Sequence, residues 1–196
     1  MSVNITKRRE PHTFMLGVVI VSIIILFFSL SFLYLLRKSG ANWNNFRLPD
    51  IFWVSTVIIL FSSGTLYSSI VAFKKDKFTA YKWLTGFTLV LGVAFISTQI
   101  IGWKQLFDTG IAMHNSVAGA FLYTLSGLHI LHILGGIIYL GIIFSSALKR
   151  VTYVDAFVYS VNPPTRLRLQ LVSIYWHFVD ALWVYLFIFL LYHHGV

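Results

Sequence analysis

The chain has 196 residues, of which 58% are hydrophobic and only 11% charged, with a net charge of +9. Soluble domains carry about 25% charged residues, so this composition indicates a membrane protein. The basic residues lie in short clusters between apolar runs, which argues against a nucleic-acid surface, and the absence of cysteine excludes disulfides, thiolate metal sites, iron–sulfur clusters, covalent haem attachment and a cysteine nucleophile.

A spanning helix needs about 20 mostly apolar residues, and five segments qualify. They cover residues 14–36, 51–73, 83–103, 117–148 and 171–192. The first is too long in its apolar core for a cleaved signal peptide, and no clear small-residue cleavage site follows it, so it reads as a retained helix. The third is bracketed by Trp83 and Trp103, a residue type favoured at the two membrane interfaces. The fourth is longer than a bilayer needs and is expected to tilt or project. Between the fourth and fifth, roughly 149–170, Asn-Pro-Pro at 162–164 reads as a surface loop. All five spans must be helical, because lipid offers no partner for open backbone groups. The expected fold is an all-α bundle of five transmembrane helices over residues 1–196.

Lysine and arginine set the expected orientation. Lys7, Arg8, Arg9, Lys74, Lys75, Lys77, Lys82, Lys149, Arg150, Arg166 and Arg168 fall on one side, making 11 of the 15 basic residues. Arg37, Lys38, Arg47 and Lys104 fall on the other. The positive-inside rule then puts the N-terminus in the cytoplasm and the C-terminus outside.

Of the six acidic residues only Asp180 lies deep inside a span. Ionisable groups there are rare, and are usually paired or functional. His177, three residues earlier, is the nearest candidate partner. His129 and His132 of GLHILHILGG (127–136) sit at a compatible depth, so a contact from either to Asp180 is expected. Three readings of this cluster compete. Haem or metal ligation would use facing histidines. A proton relay would need a continuous polar string to both surfaces, which the sequence does not visibly supply. The third is structural: the cluster satisfies itself and fixes how the fourth and fifth helices meet, and it is preferred because it needs no substrate. Gly119, Gly127, Gly135 and Gly136 permit close approach along the fourth helix. Trp103, Trp176 and Trp183 read as packing residues or lipid head-group contacts, and His193 and His194 as solvated chain-end residues.

YWHFVD (175–180) followed by Trp183 resembles the last-helix signature of subunit III of haem–copper respiratory oxidases. GLHILHILGG is similar to that family's Gly-x-His-x-x-His helix, and Gln99 with Trp103 to a looser pattern at the end of the third helix. The resemblance covers the third to fifth spans, and the first two by topology, in the manner of short five-helix bacterial members. It implies a subunit of the bacterial cytoplasmic membrane with no haem, copper or catalytic residue of its own. Its implied partners are the haem–copper subunit I, subunit II, membrane phospholipid and, through the assembly, a respiratory supercomplex. The implied role is to support the stability and proton uptake of an enzyme that reduces oxygen while pumping protons. His129, His132, His177 and Asp180 match the family's intramembrane polar cluster, and Trp176 and Trp183 its aromatic positions. Gln170 and Gly102 stand where many members have glutamate, and Ser62, Ser63, Thr65 and Ser68 are the polar groups where long members bury one. Subunit III of a quinol oxidase and a nitric oxide reductase accessory protein are alternatives within the superfamily. From other classes the rivals are a haem b anchor and a small transporter, although none of the four prolines interrupts a span as a transporter's broken helices would require.

Overall fold

Buried positions along the helices recur at alternating steps of four and three. In the third helix they are Tyr81, Thr85, Thr88, Gly92, Phe95, Gln99, Gly102 and Leu106. This is a seven-residue repeat, the period that keeps one seam turned toward its neighbours in a left-handed bundle. A computed structural model describes residues 11–38, 46–149 and 162–194. Its helices are α1 (Pro11–Lys38), α2 (Ile51–Lys74), α3 (Phe78–Asp108), α4 (Val117–Leu148) and α5 (Pro163–His194). Each of the others carries the same repeat: Ser55, Ser62 and Ser69 in α2, Leu122, His129, Gly136 and Ile143 in α4, Leu169, Trp176, Trp183 and Leu190 in α5, and Phe27 and Tyr34 in α1.

No strand occurs among the described residues, and all five helices are long and apolar enough to cross a membrane. This is the all-α, five-span fold the sequence predicts. Helix α2 packs most extensively on α3, α3 on α4, α4 on α5, and α5 back on α2. Four helices therefore close a ring, and α1 lies outside it against α4 and α5.

The connections explain the pairing. Between α2 and α3 only three residues intervene, and Asp76 takes a left-handed conformation at φ 56°, one that Asp tolerates better than most residues. The backbone N–H of Lys77 closes the turn on the carbonyl of Ala72 at 3.0 Å. At the start of α4, Ser116 Oγ accepts from the N–H of Gly119 at 3.1 Å, an ordinary N-cap.

The helix ends differ from expectation in two places. The third helix runs five residues past each of its bracketing tryptophans. The fifth starts at Pro163, inside the Asn-Pro-Pro stretch expected to be a loop. Proline suits a first helical turn, where its missing N–H has no intrahelical partner in any case. The carbonyl of Asn162 closes that turn, accepting from the N–H of Thr165 at 3.0 Å. At 1.5 Å per residue α3, α4 and α5 are each about 46–48 Å long, well beyond a hydrocarbon core of about 30 Å. The expectations placed on the N-terminal basic tail and on residues 150–161 lie outside the described residues.

Candidate functional site

The region with the most chemistry is the inner face of α5. Trp176 and Trp183 are seven residues apart, two turns along one face, and only 4% and 0% exposed. Neither is a head-group contact, contrary to one of the two sequence expectations. Each indole N–H donates across to α2: Trp176 Nε1 to Ser62 Oγ at 3.1 Å, and Trp183 Nε1 to Thr56 Oγ1 at 3.0 Å. The ring of Trp176 fits between α3 and α4 because both present glycine. A Cβ on Gly92 would lie 3.1 Å from its Cη2, and one on Gly136 3.2 Å from its Cε3. Trp183 fills the next layer. Phe95 meets it edge-on with centroids 4.9 Å apart, and the ring of His129 lies 5.0 Å away.

The polar cluster is divided differently from the sequence reading. His177 Nδ1 hydrogen-bonds Ser63 Oγ of α2 at 2.6 Å, and the carboxyl group of Asp180 lies close to the same hydroxyl. The expected link from His129 or His132 to Asp180 is not formed. His129 is 0% exposed and is packed against Trp183 and Phe95; neither of its ring nitrogens, nor Asp180 Oδ2, has a hydrogen-bond partner among the described residues. His132 turns the other way. Its Nδ1–H donates to the carbonyl of Leu128 at 2.6 Å, and its ring packs edge-on to Phe27 of α1. The reason is helical geometry: a three-residue step rotates a side chain by some 300° about the axis at 3.6 residues per turn. His129 therefore points at the ring core, and His132 at the α1 groove. Among the described residues no three His, Cys, Asp or Glu side chains converge in a metal-binding arrangement.

The bond from α5 to α4 comes from Tyr175, whose hydroxyl donates to the backbone carbonyl of His132 at 2.9 Å. Trp103, half-buried, donates its indole N–H to Ser126 Oγ of α4 at 2.9 Å. Of the four glycines singled out on α4, Gly119 and Gly136 are tightly covered, whereas Gly127 and Gly135 make ordinary contacts.

Several pairings here escaped the sequence reading. Helices α2 and α3 are joined at three levels: Gln99 Nε2 donates to Ser55 Oγ at 2.8 Å, Thr65 meets Thr88 at 2.9 Å, and Ser69 meets Thr85 at 2.7 Å. The available signal was the seven-residue spacing of Ser55, Ser62 and Ser69. Of His193 and His194, both expected to be solvated, the second is buried and the first half-buried. His194 is 2% exposed, hydrogen-bonds the Tyr34 hydroxyl through Nε2 at 2.8 Å and stacks on Phe46 at 4.1 Å. Lys38 Nζ donates to His193 Nδ1 at 2.8 Å. These contacts tie the C-terminal turn of α5 to the end of α1. Gly102, where a glutamate is common in the family that the sequence resembles, has no space for a side chain: a Cβ there would lie 2.8 Å from Phe52 Cε2.

The sequence pattern of the family described as cytochrome c oxidase subunit III matches residues 12–196. The chain belongs to that family. It is 27% identical over 136 residues to a cytochrome c oxidase subunit 3 of Bacillus subtilis, covering 69% of this chain and 61% of that one. It is 27% identical over 168 residues to the cytochrome c oxidase subunit 3 of Bacillus sp. strain PS3, covering 83% and 76%. It is 30% identical over 143 residues to the cytochrome bo(3) ubiquinol oxidase subunit 3 of Pseudomonas aeruginosa, covering 72% and 63%. The matched stretch thus spans less than two thirds of the first and third relatives. Family membership fits the geometry: the YWHFVD stretch turns Trp176 and Asp180 inward, and the GLHILHILGG stretch turns His129 and Gly136 inward.

Proposed function

We propose that this chain is subunit III of a proton-pumping haem–copper terminal oxidase of the bacterial cytoplasmic membrane. It is a non-catalytic scaffold that packs against the haem- and copper-bearing subunit I, alongside subunit II and bound phospholipid, and supports the stability and proton uptake of that enzyme. One observation carries the reading: the side chains that mark the family are engaged in holding helices together. Trp176, Trp183, His177 and Asp180 all reach toward hydroxyls of α2, and His129 is an aromatic spacer in the same core. Groups used in this way build a rigid surface for a companion rather than a site for turnover. Lys74, Lys75, Lys77, Lys82, Arg166 and Arg168 gather at one end of the bundle, which supports a cytoplasmic position for that end.

The test is purification of the tagged full chain from membranes in mild detergent, followed by a visible spectrum. The expected result is a larger haem-bearing subunit with a copper-binding companion, and no Soret band on this chain once it is separated from them. A chain that elutes alone, or that keeps haem by itself, overturns the proposal. A quinol-oxidising assembly is the second reading, favoured by the Pseudomonas relative at 30% identity. The soluble domain of the co-purifying subunit II decides between the two donors.

A further inference from the structure

We propose that Lys38 and His193 form a proton-sensitive latch, which holds the end of α1 against the C-terminal turn of α5 and opens when His193 gains a proton. The latch goes beyond the oxidase reading and rests on it only for the side of the membrane that supplies the proton.

The contacts at this end of the bundle fasten two stretches of chain to two consecutive histidines. Lys38 Nζ, at the last residue of α1, donates to His193 Nδ1 at 2.8 Å. His194 hydrogen-bonds the Tyr34 hydroxyl through Nε2 at 2.8 Å and stacks on Phe46, with centroids 4.1 Å apart. Its backbone carbonyl accepts from the N–H of Leu48 at 3.3 Å, just before α2 begins. The rings of Tyr34 and Phe189 wall His193 at 5.1 and 4.8 Å. Further down α1 the contact is one of packing, as of Phe27 on His132.

Chemistry singles out His193 as the sensor. A lysine ammonium has no lone pair and can only donate, so Nδ1 must be free of a proton to receive it. Protonation turns that acceptor into a donor and sets two cations against each other. His194 differs, because a protonated ring still donates to a hydroxyl oxygen and the Tyr34 bond survives. The surroundings do not offset the new charge. Tyr34 of α1 and Tyr192 of α5, the latter 5.1 Å from His193, are neutral phenols. Arg37 and His194, the neighbours of the pair in sequence, bring no negative charge. Residues 39–45 contain no ionisable side chain. Among the described residues the carboxylates of this end are Asp50 and Asp108; both are exposed, and Asp50 lies 3.8 Å from Arg47.

The sign follows. The Lys38–His193 bond is present while the imidazole is neutral and is lost as pH falls through the histidine range, at or below about 6.5. On the orientation proposed above this end faces away from the cytoplasm, the side to which a proton pump discharges. Acid produced there would loosen α1 and leave the ring of four helices intact.

Hydrogen exchange on the full-length chain, in the assembly with which it is purified, tests the latch at about pH 8 and about pH 5 after correction for the intrinsic pH dependence of exchange. The amides of residues 31–38 are expected to exchange about tenfold faster at the lower pH, while those of residues 90–98 in α3 keep their rate. In His193→Asn, whose side-chain oxygen accepts from Lys38 without titrating, the amides stay protected at both pH values. In Lys38→Met they exchange fast at both. A wild-type chain that shows no loosening in acid, or either variant retaining the full response, would overturn the latch. None of these readings involves haem, so a failure here leaves the oxidase assignment standing, and that assignment falls separately if no haem-bearing subunit co-purifies.

Discussion

Helices α1 and α5 make an instructive pair. Helix α1 is the most apolar of the five spans and the least buried; α5 is among the least apolar and the most buried. In water the order would be reversed, since burial there follows hydrophobicity. In a bilayer the outside is already oil, so an apolar face gains nothing by leaving it. What draws helices together is close packing and hydrogen bonding between polar groups that lipid cannot satisfy. Helix α5 has two indoles, a histidine and a carboxyl group to place, and it sits inside. Helix α1 offers a single packed stripe through Ile23, Phe27 and Tyr34 and leaves the remainder to lipid.

This contrast can be broken by substitution, and the largest effect is expected at Trp183. Truncation to alanine empties the layer between Phe95 and His129 and removes the indole bond to Thr56, a loss of about 3–5 kcal/mol. A thermal melt in detergent micelles checks this, and a melt within error of wild type would contradict the core described here. Gly136→Leu drives a side chain into the Trp176 ring and is expected to cost about 1–3 kcal/mol by overpacking; the same melt reads it, and Gly141→Leu, where a Cβ meets nothing, serves as the matched control. Ser63→Ala removes the hydrogen bond from α2 to His177, with an expected loss of about 0.6–1.7 kcal/mol, read as faster hydrogen exchange along the α2–α5 seam. Tyr34→Phe deletes the hydroxyl bonded to His194 and is expected to cost about 0.5–1.5 kcal/mol. Its signature is selective: proteolysis near the end of α1 accelerates while the ring of four helices keeps its melting temperature. Smallest of all, Ile25→Ala on the exposed face of α1 is expected to stay within about 0.5 kcal/mol of wild type. A large effect there would mean that α1 hides a contact, and the comparison would need redrawing.

Much of the fold was legible in advance. Helix α4 begins at Val117 and ends at Leu148, the bounds expected from its apolar run, because hydropathy reports the transfer of a helix into lipid. The start of α5 was not legible, because Pro163 and Pro164 serve equally well in a turn and in a first helical turn. The candidate site was legible in its residues and not in its pairings. His177 and Asp180 stand out in any apolar run, but nothing local says that Ser63, more than a hundred positions earlier, is the partner of His177. Three-residue spacing suggested that His129 and His132 act together; the direction each faces depends on which neighbour occupies each side of α4. His193 and His194 looked like chain-end residues until Tyr34, Lys38 and Phe46 were found around them.

By itself the sequence determined that this protein crosses a membrane five times as helices, since backbone amides in hydrocarbon have no other way to be satisfied. Its seven-residue spacing of serine, glycine and tryptophan also fixed which faces turn inward, since that period keeps one stripe of each helix in register with its neighbours. Only the tertiary structure decided which polar group answers which. Hydrogen bonds between spans depend on distances of about 3 Å between residues remote in the chain, and these are set when the helices pack, not when each one forms.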